Sequence, residues 1–234
     1  MKKNYCILNG FRSDNVEGLL IQELPPIIKP PMRTEIEEID GRDGSIVTHL
    51  GYGAYEKEMI IGLYGDYDID HVIRFFNSSG TAIFSNELDK VYQYQIVEQI
   101  DFERLAHFRV ATVTFYVQPF KHSSVEEEQE FTSSPISVIN SGNVKSKPVL
   151  TIRGSGTVTL SLNGTAILVL TLGGTERSII IDAENMNAYW GNTFLNRLVS
   201  GDYDDLTLNI GKNILSWSGG SVSSMKIDNY SRWI

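Results

Sequence analysis

The chain has 234 residues, 41% of them hydrophobic and 10% aromatic, with a formal net charge of −9. That apolar content supports a core and excludes intrinsic disorder for the bulk of the chain. The length suits one large or two small domains, and an acidic balance disfavours general binding to phosphate backbones. Cys6 is the single cysteine, so neither an internal disulfide nor a thiolate zinc site can be built from this chain alone. The longest apolar run, residues 166–170, is far short of the roughly 20 that cross a bilayer. Polar residues between Asn9 and Asp14 interrupt the start before a signal-type apolar stretch develops. The expectation is a soluble protein without an export signal, with no membrane insertion and no specific nucleic-acid binding.

In chain order, the first unusual segment is LPPIIKPPMR at 24–33, which holds four of the seven prolines. It cannot be helical, cannot donate the ladder of a central strand, and favours a stiff extended backbone that loses little entropy on docking. A charged strand at 34–40 follows, ending in Gly41-Arg42-Asp43-Gly44, whose glycines suit a tight hairpin or bulge. One reading is a proline-rich edge followed by a hairpin; the other is an arm that packs on a neighbouring subunit. The arm candidates are Pro25, Pro26, Ile28, Pro30, Pro31, Arg33, Arg42 and Asp43. Pairing of Arg42 with Asp43 inside one subunit is the competing reading of the turn.

Further strands are expected at 58–63, 81–84, 91–98 and 109–118, the last apolar on both faces and so expected to be buried on both. A single helix is expected after the N-cap Asp68, with Ile69, Val72, Ile73 and Phe76 on one face. Asn77-Ser78-Ser79-Gly80 should stop it, with Gly80 left-handed. Residues 1–134 hold 22 acidic and 12 basic residues, net −10, whereas 135–234 hold 7 and 8, net +1. The change follows the run Glu126-Glu127-Glu128-Gln129-Glu130, read as a solvated face, and Ser133-Ser134-Pro135 reads as a linker. The predicted domains are therefore 1–135 and 136–234.

The second part reads as a β-sandwich of short strands. Val158, Leu160 and Leu162 alternate with Thr157, Thr159 and Ser161, and Asn163-Gly164 fits a tight hairpin. Other strands are expected at 149–153, 166–172, 178–182, 206–210, 213–218 and 223–229.

Chemistry is hard to assemble. His49, His71, His107 and His122 are scattered, without an HExxH or His-x-His pattern, and no GxSxG elbow exists. Gly51-Tyr52-Gly53 and Gly154-Ser155-Gly156 lack the third glycine and setting of a dinucleotide site and read as turns. Asp182 with Glu184 could form a glycosidase pair, and Asp202-Tyr203-Asp204-Asp205 a calcium loop, but chance carboxylate pairs and a polar turn explain both. Trp190 and Trp217 are candidates for stacking on a sugar ring, although Trp217 between two serines also fits a core position. The reading is no enzyme, no metal and no cofactor.

Several stretches, in their order and spacing, resemble the distal tail proteins of siphovirus-type phages of Gram-positive bacteria. These are residues 11–18, LPPIIKPPMRTEIEEIDGRDG at 24–44, Gly51-Tyr52 leading into a strand at 55–61, and TAIFSNELDKVYQYQIVEQIDFERL at 81–105. They continue through YVQPF at 116–120, NSGNVKSKPVLTIRGSGTVTLSLNG at 140–164, SIIIDAEN at 178–185, GKNILSWSG at 211–219 and the closing Arg232-Trp233. The resemblance implies a mainly β fold with an N-terminal belt domain of β-sandwich type, carrying one helix and a hairpin arm. It also implies a C-terminal sandwich like that of galectins and carbohydrate-binding modules. The implied role is structural: a homo-hexameric ring at the tail tip of the virion. That ring joins the tail tube protein to the tail-associated tip protein and anchors receptor-binding or baseplate proteins. Synthesis in the host cytoplasm, from a phage or a prophage, is implied with it. An acidic first domain lining a channel would repel passing DNA. The alternative function is a carbohydrate-binding module that attaches to host cell wall.

Overall fold

The structure, a computed structural model, describes residues 3–76, 78–125 and 128–234, the side chains of 174–177 excepted. Asn77 of the expected helix stop, and Glu126 and Glu127 of the glutamate run, lie outside the described residues. The chain is mainly β and divides into two units, Met1–Ser124 with Ile234, and Val125–Trp233.

In the first unit the strands are β1 (Cys6–Leu8), β2 (Phe11–Arg12), β3 (Leu19–Glu23), β4 (Met32–Glu38), β5 (Ser45–Tyr52) and β6 (Tyr55–Leu63). After helix α1 (Ile69–Phe75) come β7 (Ser79–Phe84), β8 (Lys90–Gln95), helix α2 (Phe102–Phe108), β9 (Val110–Val117) and β10 (Lys121–Ser123). One antiparallel sheet runs in the order β2-β1-β7-β8-β9-β6-β3, with β10 added on β8, while β4 and β5 pair only with each other. The core is formed by the inward positions of these strands, including Leu8, Met59, Ile61, Phe84, Tyr92 and Phe115, together with Val72 and Leu105 from the helices.

Three expectations change here. Helix α1 is capped as expected, Asp68 Oδ1 accepting from the N–H of Asp70 at 2.9 Å. Its stop is not Gly80, however, which has φ +145° inside β7. A Cβ at Gly80 would collide with the Asn9 side chain. Asn9 Oδ1 accepts from Thr81 N–H at 2.8 Å while its Nδ2 donates to the Ser79 carbonyl at 3.1 Å, so the glycine is needed for close approach. A second helix, α2, accompanies the expected one, capped by Asp101 accepting from Arg104 N–H at 2.7 Å and ending on left-handed Arg109. Strand β9 buries one face fully (Ala111, Val113, Phe115, Val117), but its other face leaves Thr112 and Tyr116 exposed.

The second unit contains β11 (Gln129–Phe131), β12 (Ile136–Asn140), β13 (Val149–Leu162), β14 (Thr165–Asp182), β15 (Asn187–Trp190), β16 (Thr193–Phe194), β17 (Val199–Gly201), β18 (Gly211–Ser218) and β19 (Ser221–Asp228). Its backbone is two long strands. Strand β13 pairs with β14 along its length, turning at Asn163-Gly164, which have φ of +51° and +87°. On its other edge β13 pairs with β19 through Val149–Ser155 and with β18 through Thr159–Leu162. The switch falls at Gly154-Ser155-Gly156, where the register shifts against β14. The expected turn is therefore a bend inside one strand. A Cβ at Gly154 would overlap the Ser221 carbonyl oxygen, and Gly156 has φ +83°. Two glycines thus let one strand serve both layers, and the four strands expected at 149–153, 157–162, 166–172 and 178–182 become two.

Between the layers lie Val138, Leu150, Ile152, Leu160, Leu168, Leu170, Ile179, Ile181, Leu215 and Ile227, all fully buried. Residues 206–210 are not a strand; Leu206 and Leu208 reach the core from an irregular segment joined by a lone bridge from Leu208 to Ser146. The unit begins at Val125, before the composition change at 135, because Gln129–Phe131 pairs with Met225–Ile227 of β19. Counted on these units, the charges are 18 acidic and 12 basic (−6) for 1–124, and 11 acidic and 8 basic (−3) for 125–234. Much of the contrast drawn at 134 came from the glutamate run, which belongs to the second unit.

Candidate functional site: an exposed arm and its buried anchor

Hairpin β4–β5 stands apart from every other sheet. Its register pairs Thr34 with His49, Ile36 with Val47, Glu37 with Ile46 and Glu38 with Ser45. Every residue of β4 is exposed, and Ile36 (63% exposed), Val47 and Leu50 are unshielded apolar groups. An isolated two-stranded hairpin is marginal in water, and these apolar groups lack cover among the described residues. At its tip Gly41 (φ +80°) and Gly44 (φ +79°) provide the left-handed positions of the turn. Arg42 and Asp43 are both exposed there and form no salt bridge with each other among the described residues. The Arg42 N–H donates to the Ile39 carbonyl at 3.1 Å.

The proline segment is fastened rather than free. Pro25 and Pro30 are buried, while Pro26, Ile28, Pro31 and Arg33 are exposed. Three of its carbonyls are held: Pro25 O accepts from Asn86 Nδ2 at 2.9 Å, Pro26 O from Lys57 Nζ, and Pro31 O from Gly53 N–H at 2.8 Å. Lacking N–H groups, prolines can be tied down only through carbonyls, and those contacts fix where the hairpin leaves the body.

Behind Pro26 lies a buried charged cluster. Lys57 is 2% and Lys121 4% exposed. Lys121 Nζ donates to Glu87 Oε1 at 2.8 Å, and the Tyr92 hydroxyl donates to Glu87 Oε2. Lys57 Nζ lies 5.0 Å from the centre of the Tyr92 ring, a cation–π contact. Burial pulls the Lys57 amine down to about 8, against the opposing attraction of Glu87. Burial, helped by Glu87, pushes the Tyr55 hydroxyl up to about 12. The sequence reading missed this cluster. Its signal was parity: in Tyr55-Glu56-Lys57-Glu58-Met59-Ile60-Ile61, Lys57 occupies an inward position between Tyr55 and Met59.

The other candidates are dispersed. Asp182 accepts from Asn185 N–H at 2.9 Å and from its Nδ2 at 2.8 Å, while Glu184 pairs with Arg232 Nη1 at 2.5 Å, so each carboxylate has a structural partner. Asp202 caps a short 3-10 turn and Asp204 pairs with Lys147 at 2.6 Å. Among the described residues no three His, Cys, Asp or Glu side chains gather as a metal site. Trp217, on the core-facing side of β18, packs against the second unit's core. Trp190 ends β15 and is 43% exposed. The two tryptophans sit on strands that pair with opposite ends of the β13–β14 hairpin.

The fold and the exposed hairpin together define a class: a two-unit, mainly β protein in which a hairpin outside the main sheets follows a proline segment held through its carbonyls. The solved structures are more specific. The chain has a Dit-like fold, matching the Dit (gp 19.1) protein of phage SPP1, described as a paradigm of the hub adsorption apparatus in phages that infect Gram-positive bacteria. That match has a TM-score of 0.67 at 16% identity and covers 100% of both chains. A component of the phage P2 baseplate in its activated conformation with Ca matches at TM-score 0.52 and 10% identity, over 100% of this chain and 99% of that one. The phage p2 baseplate with Sr matches at 0.52 and 11%, over 96% and 97%. No protein-family model and no curated protein sequence matches the chain.

Proposed function

We propose that this chain is a structural protein of a phage tail tip, a distal tail protein without catalytic activity, carried in the virion. The observation that carries the reading is the end-to-end match of both units, in order, to a phage hub protein. The uncovered arm adds an independent reason to expect assembly. In this reading six copies close a ring through head-to-tail contacts, in which one chain's arm lies on the next. Permanent interfaces of that kind bury more than about 2,000 Å². The ring joins the tail tube to the tail-associated tip protein and carries receptor-binding or baseplate proteins. The first unit acts as the ring-forming domain and the second, which begins at Val125 rather than at the expected 136, as the outward-projecting one.

Multi-angle light scattering across concentration, with negative-stain images of the same fractions, tests this. A six-fold ring with an open centre supports it. A monomer at every concentration that also fails to assemble when a tail-tip partner is added refutes it. A sugar-binding second unit, the alternative, rests on Trp190 alone, because Trp217 is engaged with the core.

A further inference from the structure

If the arm packs on a neighbouring copy, some surface must receive it. Three grooves on the first unit bear comparison. One, lined by Gln93, Gln95, Gln118 and Tyr94, is polar and uncharged. A second, along α2, sets Asp101 and Glu103 against Arg104 and His107 around Phe108, so its charges offset one another and it offers a glutamate-bearing hairpin no net attraction. The third lies between β2 and α1, has a volume of about 350 Å³, and joins an apolar floor of Phe11, Val16 and Phe75 to a rim of Arg12, His71 and Arg74.

The rim charges are not equally available. Arg12 is held by Asp14 at 2.7 Å, and His71 Nδ1 lies 3.6 Å from Asp68. Arg74 donates its Nε to the Asp70 carbonyl at 3.2 Å but has no carboxylate partner among the described residues. On the hairpin, the pairs Thr34–His49, Ile36–Val47 and Glu38–Ser45 share one face. That face therefore offers two apolar side chains in register and one carboxylate beside them. Phe11, Ile36 and Val47 are all exposed, so among the described residues neither the groove nor the hairpin face is covered.

We infer that the Phe11–Phe75 groove of one copy receives the Ile36–Val47 face of a second copy's hairpin, with Glu38 meeting Arg74. The assignment rests on the arm reading above and deepens it. A donor face and a different acceptor groove on the same unit make a head-to-tail contact, which closes into a ring when the rotation between copies allows.

The test uses full-length variants carrying Ser45→Cys or Asn15→Cys, which leave both apolar surfaces intact. Cys6 is fully buried and stays in place. The two proteins are mixed and treated with a short bis-maleimide. The expected product is a mixed adduct joining positions 45 and 15, at least ten-fold more abundant than either homo-adduct. Arg74→Glu should lower both adduct and oligomer about ten-fold, and Glu38→Arg in the same chain should restore them. An oligomer that needs residues 25–31 but gives no mixed adduct and ignores Arg74→Glu overturns the groove while leaving the arm reading intact. An oligomer unaffected by loss of residues 25–31 overturns both. A monomer at all concentrations without the mixed adduct overturns the assignment as well.

Discussion

Replacing Lys57 with Met keeps the buried stem but removes the ammonium that holds Pro26 O. Two opposing effects set the magnitude. Burial lowers the amine from 10.5 to about 8, which corresponds to roughly 3 kcal/mol against the charged form at neutral pH. The charged hydrogen bond to Pro26 O is worth about 1.5–3 kcal/mol net. These largely offset each other, so global stability at pH 7 should change by no more than about 1.5 kcal/mol.

The pH profile discriminates more sharply. The folded-state value lies below the unfolded one, so the unfolded chain holds more protons between pH 8 and 10.5 and wild-type stability gains with rising pH across that window. Cys6 and Tyr55, each pushed up to about 12, act in the opposite sense above pH 9 and 10 respectively. Subtracting variant from wild type removes the Cys6 contribution, and confining the reading to pH 8–10 avoids the tyrosines. Urea titrations at half-unit steps should show the difference growing by up to about 1.4 kcal/mol per pH unit. Parallel profiles from pH 8 to 10 would falsify the anchor argument. So would a loss well above 3 kcal/mol at pH 7, because it would mean that attraction to Glu87 outweighs burial.

Other expectations follow from single contacts. Deleting Pro25–Pro31 should leave a soluble, folded protein by circular dichroism that no longer assembles by light scattering. Gly80→Ala forces a methyl against Asn9 at a positive φ and should cost about 2 kcal/mol or more in chemical denaturation. Gly154→Ala meets the Ser221 carbonyl at the bend of β13 and should destabilise the second unit by a similar amount. Leu160→Ala, at a fully buried position, should cost about 2–5 kcal/mol, while Trp190→Ala should leave the melting temperature nearly unchanged.

Features encoded within a few neighbouring residues were legible from the sequence alone. Alternation placed Val158, Leu160 and Leu162 inward, Asp68 started a helix, Asn163-Gly164 made a hairpin, and Gly41 and Gly44 marked the turn of another after the proline segment. Each depends on side-chain parity, a cap, or an allowed φ, which the chain specifies locally. What the tertiary structure decided depends on groups distant in sequence. Lys57 meets Pro26 across 31 residues, and Asn9 meets Thr81 across 72. Only those meetings show that Gly80 makes room for a side chain and that a lysine holds the proline segment. Likewise, Gly154-Ser155-Gly156 reads locally as a turn. It becomes a bend within one strand because β18 and β19 supply partners on either side of it.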